Sequence, residues 1–292
     1  MIYRGDKLPA NIKIDPRDYY KELPSIYHET GDIWMNIPCF GLNKNRFTRA
    51  IVITPSCDLS QSKSETITVL PIITLSDYIY SKCFFYEIWQ EVHQILSEAG
   101  ICMINRYKNP CPDDVRTAIE IFQSEKAKEK SIVKLNEYCK YIMYCENNDS
   151  EKPDLKKIFS EKNLNNKLSS IMTNAYRSDI HFLPHDGNNY NGNILDDHSL
   201  VLFRYSFSFP VDVLDLASYG SEDTWLSDIK SLEEKYPLAS LFEKYPINVS
   251  TLKDDFLSDL LSRYLSMYMR LGSRDFTKET LSNFLTHIKR VI

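Results

Sequence analysis

Glycine is scarce, with eight in 292 residues. A phosphate-cradling loop needs glycines so that backbone amides can approach the ligand, and neither a GxGxxG nor a GxxxxGKS/T string occurs. A Rossmann or P-loop nucleotide site is therefore not expected. CxxC spacing is missing too, although seven cysteines stand at positions 39, 57, 83, 102, 111, 139 and 145. An odd number without that spacing predicts free thiols in a reducing compartment. No apolar run approaches the roughly 18 residues of a membrane helix, and the densest stretches are broken by Asp77, Lys82 and Glu87. No cationic-then-apolar leader precedes Tyr3 or Leu8, so the expectation is a cytoplasmic protein with no membrane partner. Charge of one sign is also lacking: 35 Lys and Arg against 40 Asp and Glu leave −5. A polyanion would need a local basic patch. No cofactor is implied.

What is present describes a folded chain. Apolar residues make up 43% and aromatics 12%, including 19 Tyr, and this length buries a core without covalent staples. Residues 1 to 30 carry Pro9, Pro16 and Pro24 and read as an arm. Gly31-Asp32 then introduces a short strand, Ile33 to Ile37, stopped by Pro38. Phe47 to Thr54 holds the β-branched run Ala50-Ile51-Val52-Ile53, the pattern of a strand buried on both faces. Thr66 to Thr74 is a third strand, whose Pro71 requires an edge or a bulge because proline cannot donate to a ladder.

Residues 75 to 178 read as a helical insertion. Tyr78, Phe85, Ile88, Val92 and Leu96 recur at helical steps before Gly100, Pro112-Asp113-Asp114 starts a second helix, and Ile132 to Met143 carries a third. The lysine-rich stretch from Lys156 to Lys167 reads as short helices with a solvated face. Strand character returns at 179–184, 199–205 and 211–216. These runs read as the second half of the same sheet, since three strands alone would be marginal. Residues 221 to 292 are helical: Ser250-Thr251 is expected to cap a helix running to Gly272, and Thr277 to start a last one. The fold class is thus α+β, with units at 1–74 (arm and first half-sheet), 75–178 (insertion), 179–220 (second half-sheet) and 221–292.

Three stretches carry a family resemblance: Gly31-Asp32-Ile33-Trp34, Arg49-Ala50-Ile51-Val52-Ile53-Thr54 and Val69-Leu70-Pro71-Ile72-Ile73-Thr74. In order and character they resemble the core of the MazF/PemK toxin family. The resemblance implies a small SH3-like, PemK-like β-barrel, here interrupted by the insertion, and an RNA-cleaving site at Arg49 and Thr74. Two positions depart from the family: Ala50 stands where it has Pro, and Ile73 lies nearer than Thr74 to the register of its Thr. The segment Thr54 to Leu59, together with Met269-Arg270-Leu271-Gly272, also looks like larger prokaryotic barrel proteins that accompany mobile-element and phage-defence genes.

Other candidate residues come from residue type and place. Cys57-Asp58 leaves a buried strand, and His185-Asp186 could reach the same sheet end, supplying the thiol, imidazole and carboxylate of a cysteine nucleophile. The plainer alternative is a buried Cys57, with Asp58 and His185 as turn residues. His181, His185 and His198 with Asp186 or Asp197 have the types for zinc. HxxxH on a strand, however, separates its two histidines by roughly 13 Å, so no metal site is expected. Lys44, Arg46, Arg49 and Lys63 could rim the sheet beside Tyr205 and Phe207 and suit single-stranded RNA, unless Arg49 simply pairs with an acid. Exposed Tyr264, Met267 and Tyr268 would offer a protein-docking patch.

The reading these residues favour is a protein-binding or sensing subunit of a prokaryotic defence-type assembly. The alternatives are an endoribonuclease acting on single-stranded RNA through Arg49, with Thr74 or Ser56 near the phosphate, and a thiol enzyme at Cys57.

Overall fold

The computed structural model describes residues 15–39, 42, 46–101, 112–123, 128–146, 150–185 and 194–269. Seven strands form one antiparallel sheet: β1 (Asp32–Pro38), β2 (Phe47–Val52), β3 (Thr66–Thr74), β4 (Ile180–Leu183), β5 (Ser199–Leu202), β6 (Phe207–Pro210) and β7 (Ile247–Thr251). Their order is β4-β5-β3-β2-β1-β7, with β6 also pairing β3. Three separated stretches of sequence therefore build one sheet, Ile72 pairing Val201, Ile67 pairing Phe209 and Ile33 pairing Ser250. The chain is an α+β protein.

β2 is buried on both faces, as its unbroken apolar run requires. Ala50 and Val52 enter one core with Trp34 and Val69, while Ile51 enters another with Ile33, Leu70 and Val201. Pro71 lies within the long strand β3, not on an outer edge. β6 pairs β3 from Thr66 to Val69 and β5 pairs it from Ile72 to Thr74, so Pro71 falls in the gap between the two partners. That is where a missing N–H breaks no ladder bond on that side.

The described strands leave the sheet open, with β4 and β7 as its unpaired ends. It is nevertheless sharply curled. Tyr20 forms a backbone bridge to Leu252, just past β7, and its hydroxyl donates to the Pro184 carbonyl, just past β4, at 2.7 Å. One tyrosine of the N-terminal arm thus spans both ends. Gly31, which leads into β1, has φ 95°, and an added Cβ would lie 3.0 Å from Leu257. Both its conformation and the close packing there exclude a larger residue.

The connection after β2 holds α1 (Ser56–Ser60). Between β3 and β4 come α2 (Leu75–Ile79), α3 (Phe85–Glu98), α4 (Pro112–Gln123), α5 (Glu129–Glu146), α6 (Leu155–Ile158) and α7 (Glu161–Met172). Their buried residues, among them Ile88, Val92, Leu135 and Tyr138, share one core with Ile73, Leu200 and Leu202 of the sheet. α8 (Asp212–Tyr219) and α9 (Trp225–Glu233) cover Trp34, Val52, Val69 and Phe209. α10 (Asp254–Tyr268) packs Phe256, Leu257 and Leu260 on the third core, with Ile33 and Ile51. Among the described residues no helix is long and apolar enough to cross a membrane.

Three expectations about elements are corrected. Residues 211–216 are the start of α8, not a strand: Val213, Leu214 and Ala217 are its buried face, a helical spacing that an apparent two-residue alternation disguised. The strand is the preceding Phe207–Pro210, and 203–205 is a 3-10 turn. Ser250 and Thr251 belong to β7 and do not cap α10, which starts three residues after Thr251. Their hydroxyls are used elsewhere, Ser250 donating to the Lys21 carbonyl and Thr251 to Asp32 at 2.6 Å. The helix expected from Thr277 lies outside the described residues.

Candidate functional site

Antiparallel pairing brings the start of β2 beside the end of β3, with Arg49 opposite Ile72. β1 opens the space next to them. Its register shifts between Trp34 and Ile37, Asn36 takes φ 60°, and the Asn36 amide donates to the Tyr245 carbonyl at 2.8 Å. The bulge leaves a cavity of about 540 Å³. Met35 and Asn36 form one wall, Arg46 to Arg49 another, and Thr74 and Asp77 a third, with Asp196 and Lys244 at the margin.

Arg49 dominates its chemistry. The side chain is only 14% exposed, and its Nη1 and Nη2 donate to the two carboxylate oxygens of Asp196 at 2.6 and 2.9 Å. Nε is buried without an acceptor. The geometry is the planar two-bond fork that guanidinium forms with carboxylate or phosphate. Asp196 itself is 67% exposed, and the Arg49 hydrogen bonds hold its carboxyl below the usual range.

The other wall groups are more loosely held. Arg46, 78% exposed, lies 3.4 Å from Glu243, and the Lys244 ammonium sits 5.1 Å over the Phe47 ring. The Thr48 hydroxyl donates to the Ile72 carbonyl. Thr74 caps α2, its hydroxyl accepting the Asp77 N–H at 2.9 Å, which leaves its own proton free to donate. The Asp77 carboxylate has no ion pair among the described residues.

The sequence-predicted residues divide accordingly. Arg46, Arg49 and Thr74 meet in this cavity. Arg49 does pair with an acid, as the plainer alternative had it. Cys57 and Asp58 lie in α1, at the opposite end of the β2–β3 hairpin, where the thiol faces its neighbour's carboxylate at 3.6 Å. Cys57 is exposed, not buried, and Lys63 belongs to that end too, bonding the Asp58 carbonyl.

His185 is at the Arg49 end instead. Its Nδ1–H donates to the Leu195 carbonyl at 2.7 Å, and its backbone N–H donates to His198 Nδ1 at 2.9 Å. No thiol–imidazole pair forms at Cys57, because a whole hairpin separates the groups. Asp186 and Lys44 lie outside the described residues. His181 is buried beside Phe203, burial lowering its pKa to about 4, and no three potential metal ligands cluster among the described residues. Tyr205 and Phe207 line a separate cavity of about 190 Å³ with Pro71 and Cys39.

The proposed docking residues are only partly free. Tyr264 packs edge-on to Phe203 at 5.5 Å and Met267 packs on the third core, whereas Tyr268 is 51% exposed. Sequence reasoning missed Asn36, Asp77, Asp196 and Lys244. The Asp196-Asp197-His198 triplet carried a signal only of a polar loop, since nothing local shows that its first acid reaches a strand 147 residues earlier.

The fold and cavity together define an α+β protein with a polar, cation-bearing pocket at one end of a curled sheet. No family model, no curated protein and no solved structure matches the chain.

Proposed function

We propose that the cavity receives a phosphate group of single-stranded RNA, with Arg49 as its anchor, and that the protein is an endoribonuclease related to the MazF/PemK toxins. The observation that carries this reading is a mostly buried guanidinium whose fork opens on a polar cavity with Thr74, Arg46 and Lys244 around it. Arg49 and Thr74 are the two positions at which the family resemblance would put the chemistry. The curled sheet bridged by Tyr20 is, on this reading, an opened variant of that family's barrel.

RNA cleavage without a metal proceeds by attack of the ribose 2′-oxygen on phosphorus, with breakage of the bond to the 5′-oxygen. The 2′-hydroxyl proton goes to a base, for which Asp77 is the wall carboxylate without a cation. The departing 5′-oxygen takes a proton from water. Arg49 would stabilise the charge that builds on the phosphoryl oxygens. Incubating purified protein with mixed single-stranded RNA tests this: the wild type is expected to release fragments ending in 2′,3′-cyclic phosphate, and Arg49→Ala about a hundredfold fewer. Equal cleavage by both, or none by either, contradicts the cleavage reading.

A second reading, the protein-binding subunit of a defence-type assembly, is favoured by exposed apolar side chains. Leu265, Tyr268 and Met269 end α10 at 55, 51 and 78% exposure, and Ile26 and Tyr27 of the arm reach 86 and 75%. Recovery of no partner by tagged protein from its native host counts against it.

A further inference from the structure

We infer that Asp196 is a built-in competitor for the Arg49 fork, holding the place a ligand phosphate takes and yielding it when the ligand binds. This rests on the phosphate-binding reading and adds to it a switch residue. The two partners of the pair are held very unequally. Arg49 stands within β2 with its side chain 14% exposed, so the strand and the low exposure hold the fork in place. Asp196 stands on the irregular stretch 194–198 before β5, is 67% exposed, and has Arg49 as its only cation among the described residues. When the pair opens, the carboxylate regains water at little cost, while the guanidinium stays at the cavity mouth needing an anion. A doubly bonded carboxylate and a doubly bonded phosphate make the same demand on a guanidinium. The two therefore exclude each other.

The neighbouring groups favour the exchange. Arg46 and Lys244 stand on the cavity wall and have only a 3.4 Å ion pair and a ring contact to hold them, so both can turn to the incoming anion. Thr74 has a proton to give. Asp196 lacks any comparable set of donors among the described residues, its carboxylate accepting from Arg49. A phosphodiester would thus gain donors beyond those the carboxylate has, and Asp196 sets the threshold it must exceed.

The test is a double-mutant cycle of equilibrium binding, using a fluorescein-labelled single-stranded oligoribonucleotide with wild type, Asp196→Asn, Arg49→Ala and the double variant. Asn keeps the shape and removes the charge, and melting curves confirm that each variant folds. Asp196→Asn is expected to bind about three- to fivefold more tightly than wild type. The gain should vanish in the Arg49→Ala background. Glu243→Gln, which removes a charge at the same cavity without touching Arg49, should give less than half that gain. Should Asp196→Asn bind like wild type while Arg49→Ala binds weakly, the competitor role is overturned and the phosphate site stands. An equal gain with and without Arg49 also overturns it, showing a general charge effect. If no variant's affinity depends on Arg49, the phosphate-binding reading falls and the competitor falls with it. Should Asp196→Asn not fold, Asp196→Ser is read in the same way.

Discussion

Two arginine–aspartate pairs beside this sheet are each joined by two hydrogen bonds, end-on through Nη1 and Nη2 at Arg49 and side-on through Nε and Nη2 at Arg177. At one end Arg49 holds Asp196 at 2.6 and 2.9 Å. Near β4, Arg177 holds Asp179 at 2.7 and 2.6 Å. Asp179, however, is 7% exposed, receives a second arginine, Arg204, at 2.7 Å, and its backbone carbonyl accepts the Phe203 N–H. Burial raises its pKa, but the two guanidiniums outweigh that and bring it below normal. Asp196 is 67% exposed and has no second ion-pair partner among the described residues. Two charged hydrogen bonds to one carboxylate thus belong to a buried joint in one place and to an exposed contact in the other. What separates them is the solvation of the acid and the number of its partners.

The comparison predicts unequal costs. Asp179→Ala leaves Arg177, 32% exposed, without its acid beside Tyr78 and Leu202, while water reaches Arg204, 66% exposed; it is expected to lower stability by about 2–3 kcal/mol, read from urea unfolding. Asp196→Ala, in the same experiment, should cost about 1 kcal/mol or less. Similar losses from both would break the distinction and with it the case for exchange at Arg49.

A third carboxylate, Asp32, is buried with no cation bonded to it among the described residues. Asp32 is inaccessible, accepts from the Thr251 hydroxyl and the Glu29 N–H, and burial raises its pKa to about 6. With the folded value above the unfolded one, the folded state binds the extra proton between about pH 4 and 6. Stability from this group is full below that window and is lost as pH rises through it. The loss is about 2–3 kcal/mol, the equivalent of about two pKa units. Asp32→Asn mimics the protonated acid, so its stability relative to wild type should grow by about that amount from pH 4 to 6.5. A pH-independent difference would contradict the assignment. Asp196, with its pKa lowered, behaves oppositely: its pair with Arg49 contributes above the unfolded carboxylate range and is lost as pH falls.

Much of the sheet was legible because buried strands announce themselves. The run Ala50 to Val52 and the run Val69 to Ile73 are apolar without interruption, and the same physics that buries both faces also fixes their pairing. Pro71 correctly signalled a break in the ladder, though a gap between two partner strands supplied it instead of an edge. β7 was not legible. Ile247 to Thr251 is short, and its Ser-Thr end precedes acids and an apolar stripe as a helix cap would; only the distant Asp32 and Lys21 claim those hydroxyls for the sheet. At the site, Arg49 and Thr74 were named by the family resemblance, which rests on the recognisable strands that hold them. Asp196 and Lys244 could not, since each is a polar residue in an irregular stretch brought close only by the curl of the sheet. Cys57 and His185 had the right chemistry for one another, but strand direction puts them at opposite ends of a hairpin.

We propose that Arg49 offers its fork to a phosphate group, and the substitution that probes the fork alone is Arg49→Lys, which keeps the charge and loses the paired donors. Titrating labelled single-stranded RNA into wild type and Arg49→Lys at one fixed salt concentration should show binding weakened about tenfold or more in the variant. Equal affinity for the two proteins, with both folded, would contradict it.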